Sequence, residues 1–190
     1  DFCLSRGLGD VYKRQVQEAL LLLVRTLPED AEKTPRPTFN IIGSCADMFR
    51  FQADAHELIR IAEGAFGMRP LCVMTSDTSV EDIQKMGGAH INLVIRREGE
   101  PAAKHLKERF GTPYLLGRPY GIKGTGRWIE EVAEVSGLRF DPIFVRAEEE
   151  RTKKQLCPSM PIFSHLIRSH PDEATISLGG HADVVKGILD

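Results

Sequence analysis

Four short apolar segments, Thr38–Ile42 (TFNII), Pro70–Met74 (PLCVM), Ile91–Ile95 (INLVI) and Thr112–Leu116 (TPYLL), punctuate this chain with helix-patterned stretches between them. None alternates polar with apolar residues, so each is expected to be a strand covered on both faces, as in a parallel sheet sandwiched between helices. The intervening helices are read at Phe51–Phe66, Ser79–Met86, Pro101–Phe110 and Thr125–Val135. Pro101 in a first turn and Gly111 after a last one bound the third of these. Ser79 and Asp82 suit a capping box less well than Ser with Glu would. Residues 37–147 are therefore expected to form one Rossmann-like, doubly wound α/β domain with a parallel sheet.

The flanks read differently. Val16–Leu27 has helical apolar spacing and is expected to leave a preceding domain, with 28–36 as a Pro-containing linker. Residues 1–15 carry Gly7 and Gly9 among unpatterned charges, and Leu4–Gln15 (LSRGLGDVYKRQ) resembles a translated sequencing-adapter segment. They are expected to be a non-native or disordered tail. Residues 148–190 are read as a linker helix, broken near Pro158 or Pro161, and the truncated start of a further Rossmann-like domain around Gly179-Gly180. The chain is thus expected to be an internal fragment.

Composition excludes several classes. The formal net charge of −2 supplies no field for nucleic acid or an anionic membrane. The longest apolar run, Ala19–Val24, is far short of the roughly 20 residues that span a bilayer. Cys3, Cys45, Cys72 and Cys157 form no C-x-x-C pair, which leaves no local metal clamp and points to free thiols in a reducing cytoplasm. The histidines make no H-E-x-x-H or H-x-x-x-H pair, and neither G-x-S-x-G nor G-x-x-x-x-G-K-[ST] occurs. Hydrolytic zinc, nucleophile-elbow and nucleotide-hydrolysis chemistry all lack support.

The order FNIIG (Phe39–Gly43), LCVM, INLVIRREGEPAAKHLKERFGTPYLLGRPYGIKGTGRWIEEVAEVSG (Ile91–Gly137) and TISLGGHADVVKGI (Thr175–Ile188) resembles the middle of a nitrogenase component 1 subunit. That family also includes protochlorophyllide reductase subunits. The resemblance implies a second Rossmann-like domain plus the opening of a third. It implies an oxidoreductase complex with a paired component 1 subunit, homo- or hetero-oligomeric, and an ATP-dependent iron–sulfur reductase as electron donor. An iron–sulfur or related metallocluster would belong to the intact complex, none being held by this fragment alone. In the cofactor-bearing nitrogenase subunit a cysteine ligand follows the strand resembling Asn92–Val94 after one residue. Here that position is Arg96. Two alternatives stay open: a metallocofactor-assembly scaffold of the same fold, and a non-catalytic α/β ligand-binding domain.

Ligands of parallel α/β sheets bind where strand ends meet helix N-termini, which selects Gly43, Ser44 and Cys45 after the first strand and Arg96 and Arg97 after the third. Cys45 could meet a cluster, or be a small thiol in a tight turn. The interval Ile95–Trp128 holds eight Lys or Arg against three Glu, so Arg96 and Arg97 could fork an anionic ligand, or lie on a solvated face. As a loop residue, Arg96 is expected to matter little to folding. Cys72 is read as packing. Gly117–Gly126 is read as a flexible loop, which the resemblance places along an interdomain cleft, Glu148–Glu150 as solvated linker, and His181 as either a ligand-side or a capping residue.

Overall fold

The computed structural model describes residues 2–156, with side chains from 11 to 155. In chain order the elements are α1 (Phe2–Thr26), β1 (Thr38–Ile42), α2 (Phe51–Phe66), β2 (Arg69–Met74), α3 (Val80–Gln84), β3 (Ile91–Val94), α4 (Glu100–Phe110), β4 (Tyr114–Leu116), α5 (Gly121–Ser136) and α6 (Pro142–Leu156). Single 3-10 turns, Lys85–Gly88 and Arg97–Gly99, precede β3 and α4. All strand pairings are parallel, in the order β2-β1-β3-β4. The chain winds outward from β1 in both directions, so the gap between β1 and β3 is the topological switch point.

Every residue of β1 and β3 is buried, as mainly apolar runs without polar alternation demand. Phe39, Ile41, Ile91 and Leu93 face a cluster closed by Leu58 and Ala62 of α2 and Trp128, Ile129 and Val132 of α5. Ile42, Met74 and Val94 face the opposite cluster, closed by Leu20 and Val24 of α1 and Leu106 of α4. Two polar residues interrupt this second face. Asn40 and Asn92, register partners with no exposed surface, are joined by an Asn40 Nδ2 donation to Asn92 Oδ1 at 2.8 Å.

The structure redraws several expected limits. Helix α1 begins at Phe2, not Val16, and its Leu20 and Val24 belong to the core of this domain. Glycines lower helix propensity without forbidding it, and no proline interrupts residues 2–26. Helix α5 starts at Gly121, so residues 121–126 of the expected flexible loop are helical. Helix α6 starts at Pro142 and packs against α2. A Cβ on Gly64 of α2 would run into the Phe144 ring, and Arg60 bridges to Glu148 at 2.7 Å. Glu148 is thus a fastening residue between helices. Asp82 does close a capping box with Ser79, each accepting from the other's backbone N–H. The expected further domain, Cys157 and His181 lie outside the described residues.

His90 pins the entry to β1. Its Nδ1 accepts from the Thr38 N–H at 3.1 Å, which requires the neutral ring with its proton on Nε2. Burial, and then the charge of Lys33, hold its pKa below the ordinary 6.5. The unfolded chain therefore binds a proton more readily, and this contribution to stability, complete above pH 6.5, declines as pH falls towards the folded value. Urea midpoints at pH 7.5 and 5.5 are expected to differ more for wild type than for His90→Gln. Equal differences would remove His90 from the pH response.

Candidate functional site

The switch point lies at the carboxyl ends of β1 and β3, where Gly43, Ser44, Cys45 and Arg96 meet. Gly43 has φ +102°, a conformation that favours glycine, and an added Cβ would sit 2.5 Å from Arg96 Cγ. The Arg96 stem therefore lies directly against the Gly43 backbone. Its side chain is 4% exposed. The guanidinium donates through Nη1 to both carboxylate oxygens of Asp47, at 2.8 and 2.9 Å, and through Nε to Glu98 Oε2 at 3.0 Å. Both carboxylate side chains are 14% exposed.

The backbone donors expected to face a ligand are turned inward. Gly43 and Ser44 both donate to the Met74 carbonyl at 2.9 Å, and Cys45 donates to the Gly43 carbonyl at 3.0 Å. Ser44 is fully buried, its Oγ donating to the Phe51 carbonyl. Burial pushes the Cys45 thiol up, against the opposing effects of Thr75 and Arg96, which makes it a poor nucleophile. Burial would likewise weaken the charge on Arg96 and raise the Glu98 carboxyl. Their ion pairing overrides it, and Glu98 lies below the usual carboxylate range.

Of the five residues selected by sequence, four are therefore brought together and one is not. Arg97 is exposed on the turn before α4 and makes no ion pair among the described residues. Arg96 is the main correction: it is a buried internal partner, not a solvent-facing fork. The partners that decide this, Asp47 and Glu98, stand in the sequence beside the selected residues with nothing local to mark their role. Cys72 packs in β2 as expected, 2% exposed, and burial drives its thiol to about 12.

A second Arg–carboxylate pair stands on the same edge. Arg118, after β4, donates to Asp54 of α2 at 3.1 Å and stacks over Tyr120 at 5.4 Å. Beyond it, α2, α5 and α6 enclose a cleft of about 260 Å³ with Ile61, Ile129 and Phe144 among its lining residues and Glu57, Arg60 and Glu148 at one side. Arg60 joins both glutamates at 2.7 Å, and its hydrogen bonds hold both carboxyls low. Among the described residues no three His, Cys, Asp or Glu converge as a metal site, and no helix is long and apolar enough to cross a membrane. The switch-point donors thus do not fit a cluster: a single thiol, two carboxylates already bound to arginine, and a cation.

Residues 12–168 match the family described as Nitrogenase component 1 type Oxidoreductase. The chain belongs to that family. Curated relatives include a light-independent protochlorophyllide reductase subunit of Jannaschia sp. (strain CCS1), 34% identical over 64% of this chain and 23% of that protein. The subunit of the same name from Nostoc punctiforme is 38% identical over 69% of this chain and 25% of its own length. The chain thus spans about a quarter of the relatives it matches. Solved structures of nitrogenase Cp1 at pH 5 and pH 6.5 superpose with TM-scores of 0.57 and 0.59 at 19% and 17% identity, covering 76% and 80% of this chain and 28% of theirs. At that identity they establish a shared α/β fold.

Proposed function

We propose that this chain is part of a nitrogenase-like reductase subunit, comparable to the protochlorophyllide reductase subunits it matches and without the strand-end cysteine of a cofactor-bearing one. The observation that carries the reading is the match to those relatives across roughly two thirds of the chain, together with an arginine at position 96. The parent subunit works with a paired component 1 subunit and takes low-potential electrons from an ATP-dependent iron–sulfur reductase. Its substrate class is a tetrapyrrole, as in the names of the relatives. The metallocluster of the complex is held by residues other than the described ones, and the setting is the reducing cytoplasm. Residues 2–156 supply a wall whose carboxyl edge is tied by Arg96 to Asp47 and Glu98 and by Arg118 to Asp54.

The test is anaerobic assembly of the full-length parent with its paired subunit, an ATP-dependent iron–sulfur reductase, ATP, dithionite and protochlorophyllide. ATP-dependent change of the pigment spectrum is the expected result. ATP-dependent electron flow without pigment reduction would overturn the substrate class, and no ATP-dependent flow at all would overturn the subunit assignment. The 190-residue chain alone is expected to reduce nothing.

A further inference from the structure

We infer that the crevice between β1 and β3, the general ligand position of a doubly wound sheet, is filled in this protein by its own Arg96 and takes neither a metallocluster nor an anionic ligand. Three independent observations converge on this. The first is space: the Arg96 stem occupies the volume above Gly43, and the Gly99 backbone is pressed against Ile42 and Val94 so that an added Cβ would meet both at 3.0 Å. The second is hydrogen bonding: the N–H groups of Gly43, Ser44 and Cys45 all have backbone acceptors. An anion arriving there would have to break those bonds before making its own. The third is charge: Arg96 meets two carboxylates, Asp47 through both oxygens, so its own positive charge is already matched from within the chain. Glycine at 43 serves the arginine, where a phosphate or cluster loop would use it to let the ligand approach.

The consequence is mechanical. Asp47 belongs to the β1–α2 connection and Glu98 to the turn before α4, so one buried guanidinium ties two connections that flank the switch point. We call this a latch. It rests on the family reading only for the contrast with a cysteine-bearing strand end; the closure itself is a property of these side chains.

The test uses the 190-residue chain. Iron and sulfide are added anaerobically to wild type and Cys45→Ser, and amide hydrogen exchange at residues 43–45 is followed with and without inorganic phosphate. Wild type is expected to bind no more iron than Cys45→Ser, and phosphate is expected to leave exchange unchanged. Asp47→Asn, which keeps the shape and removes one charged acceptor, is expected to speed exchange at those amides roughly tenfold or more. Stoichiometric iron that depends on Cys45, phosphate protection of residues 43–45, or exchange unaltered in Asp47→Asn would each overturn the latch. None of these readouts needs turnover, so the latch and the reductase assignment stand or fall separately.

Discussion

Replacing Arg96 by alanine is expected to lower the unfolding free energy by about 3 kcal/mol, because the change strands two largely buried carboxylates without their counter-ion. For a domain whose whole stability is of order 5–15 kcal/mol this is a severe loss. Urea denaturation at neutral pH measures it directly; a change below about 0.5 kcal/mol, the usual scale of a surface substitution, would contradict the buried placement. Acid titration adds a second signature. Glu98 is depressed by Arg96 in the native state, so its contribution to stability is complete above the ordinary carboxylate range and is lost as pH falls through the lowered value. Without Arg96, only the backbone hydrogen bond of Glu98 and the charge of Lys13 are left to oppose burial, and its pKa rises. Arg96→Ala should therefore unfold at a higher pH than wild type. Arg96→Lys keeps the charge but cannot span both carboxylates with a planar fork, and should fall between the two.

The second large effect is expected at Gly43. Alanine there must adopt φ near +102° and place its methyl carbon 2.5 Å from Arg96 Cγ. Backbone strain and overpacking together should cost about 2 to 4 kcal/mol. The two causes separate in a double-mutant cycle. Arg96→Ala removes the steric part but not the strained backbone, so the double variant should be more stable than the sum of the single losses allows, by about 1 kcal/mol or more. Strict additivity would mean that the two residues do not touch.

These two positions also show what a sequence of this kind can and cannot reveal. The strands are legible because β1 and β3 lie at the centre of the sheet, where burial on both faces writes itself as mainly apolar runs. Gly43 and Arg96 are legible as a site because strand-end loops at a switch point are where such folds place ligands. The role of Arg96 is not. Whether an arginine faces solvent or lies across a glycine depends on Asp47, which is 49 positions away and enters the site only once β1 and β3 pair. The packing of α6 against α2 is hidden for a related reason, although a linker helix is legible from 148. RAEEERTKK carries almost no apolar face, and its fastening to α2 depends on Phe144 and on the Arg60–Glu148 bridge, each a long-range contact. Helix α1 extends beyond the Val16 limit because its first half lacks apolar periodicity, which governs packing but not whether a stretch can be helical.

The missing side chain at Gly64 has a consequence for how this domain can diversify. Phe144 occupies the room that any larger residue at 64 would need, and its ring lies near the edge of the cleft between α2, α5 and α6. A methyl group at 64 therefore calls for a smaller or displaced side chain at 144, and the full aromatic in its present place calls for bare backbone at 64. The lining of that cleft thus depends on two residues from different helices, and enlarging position 64 alone has to displace the Phe144 ring or α6 itself.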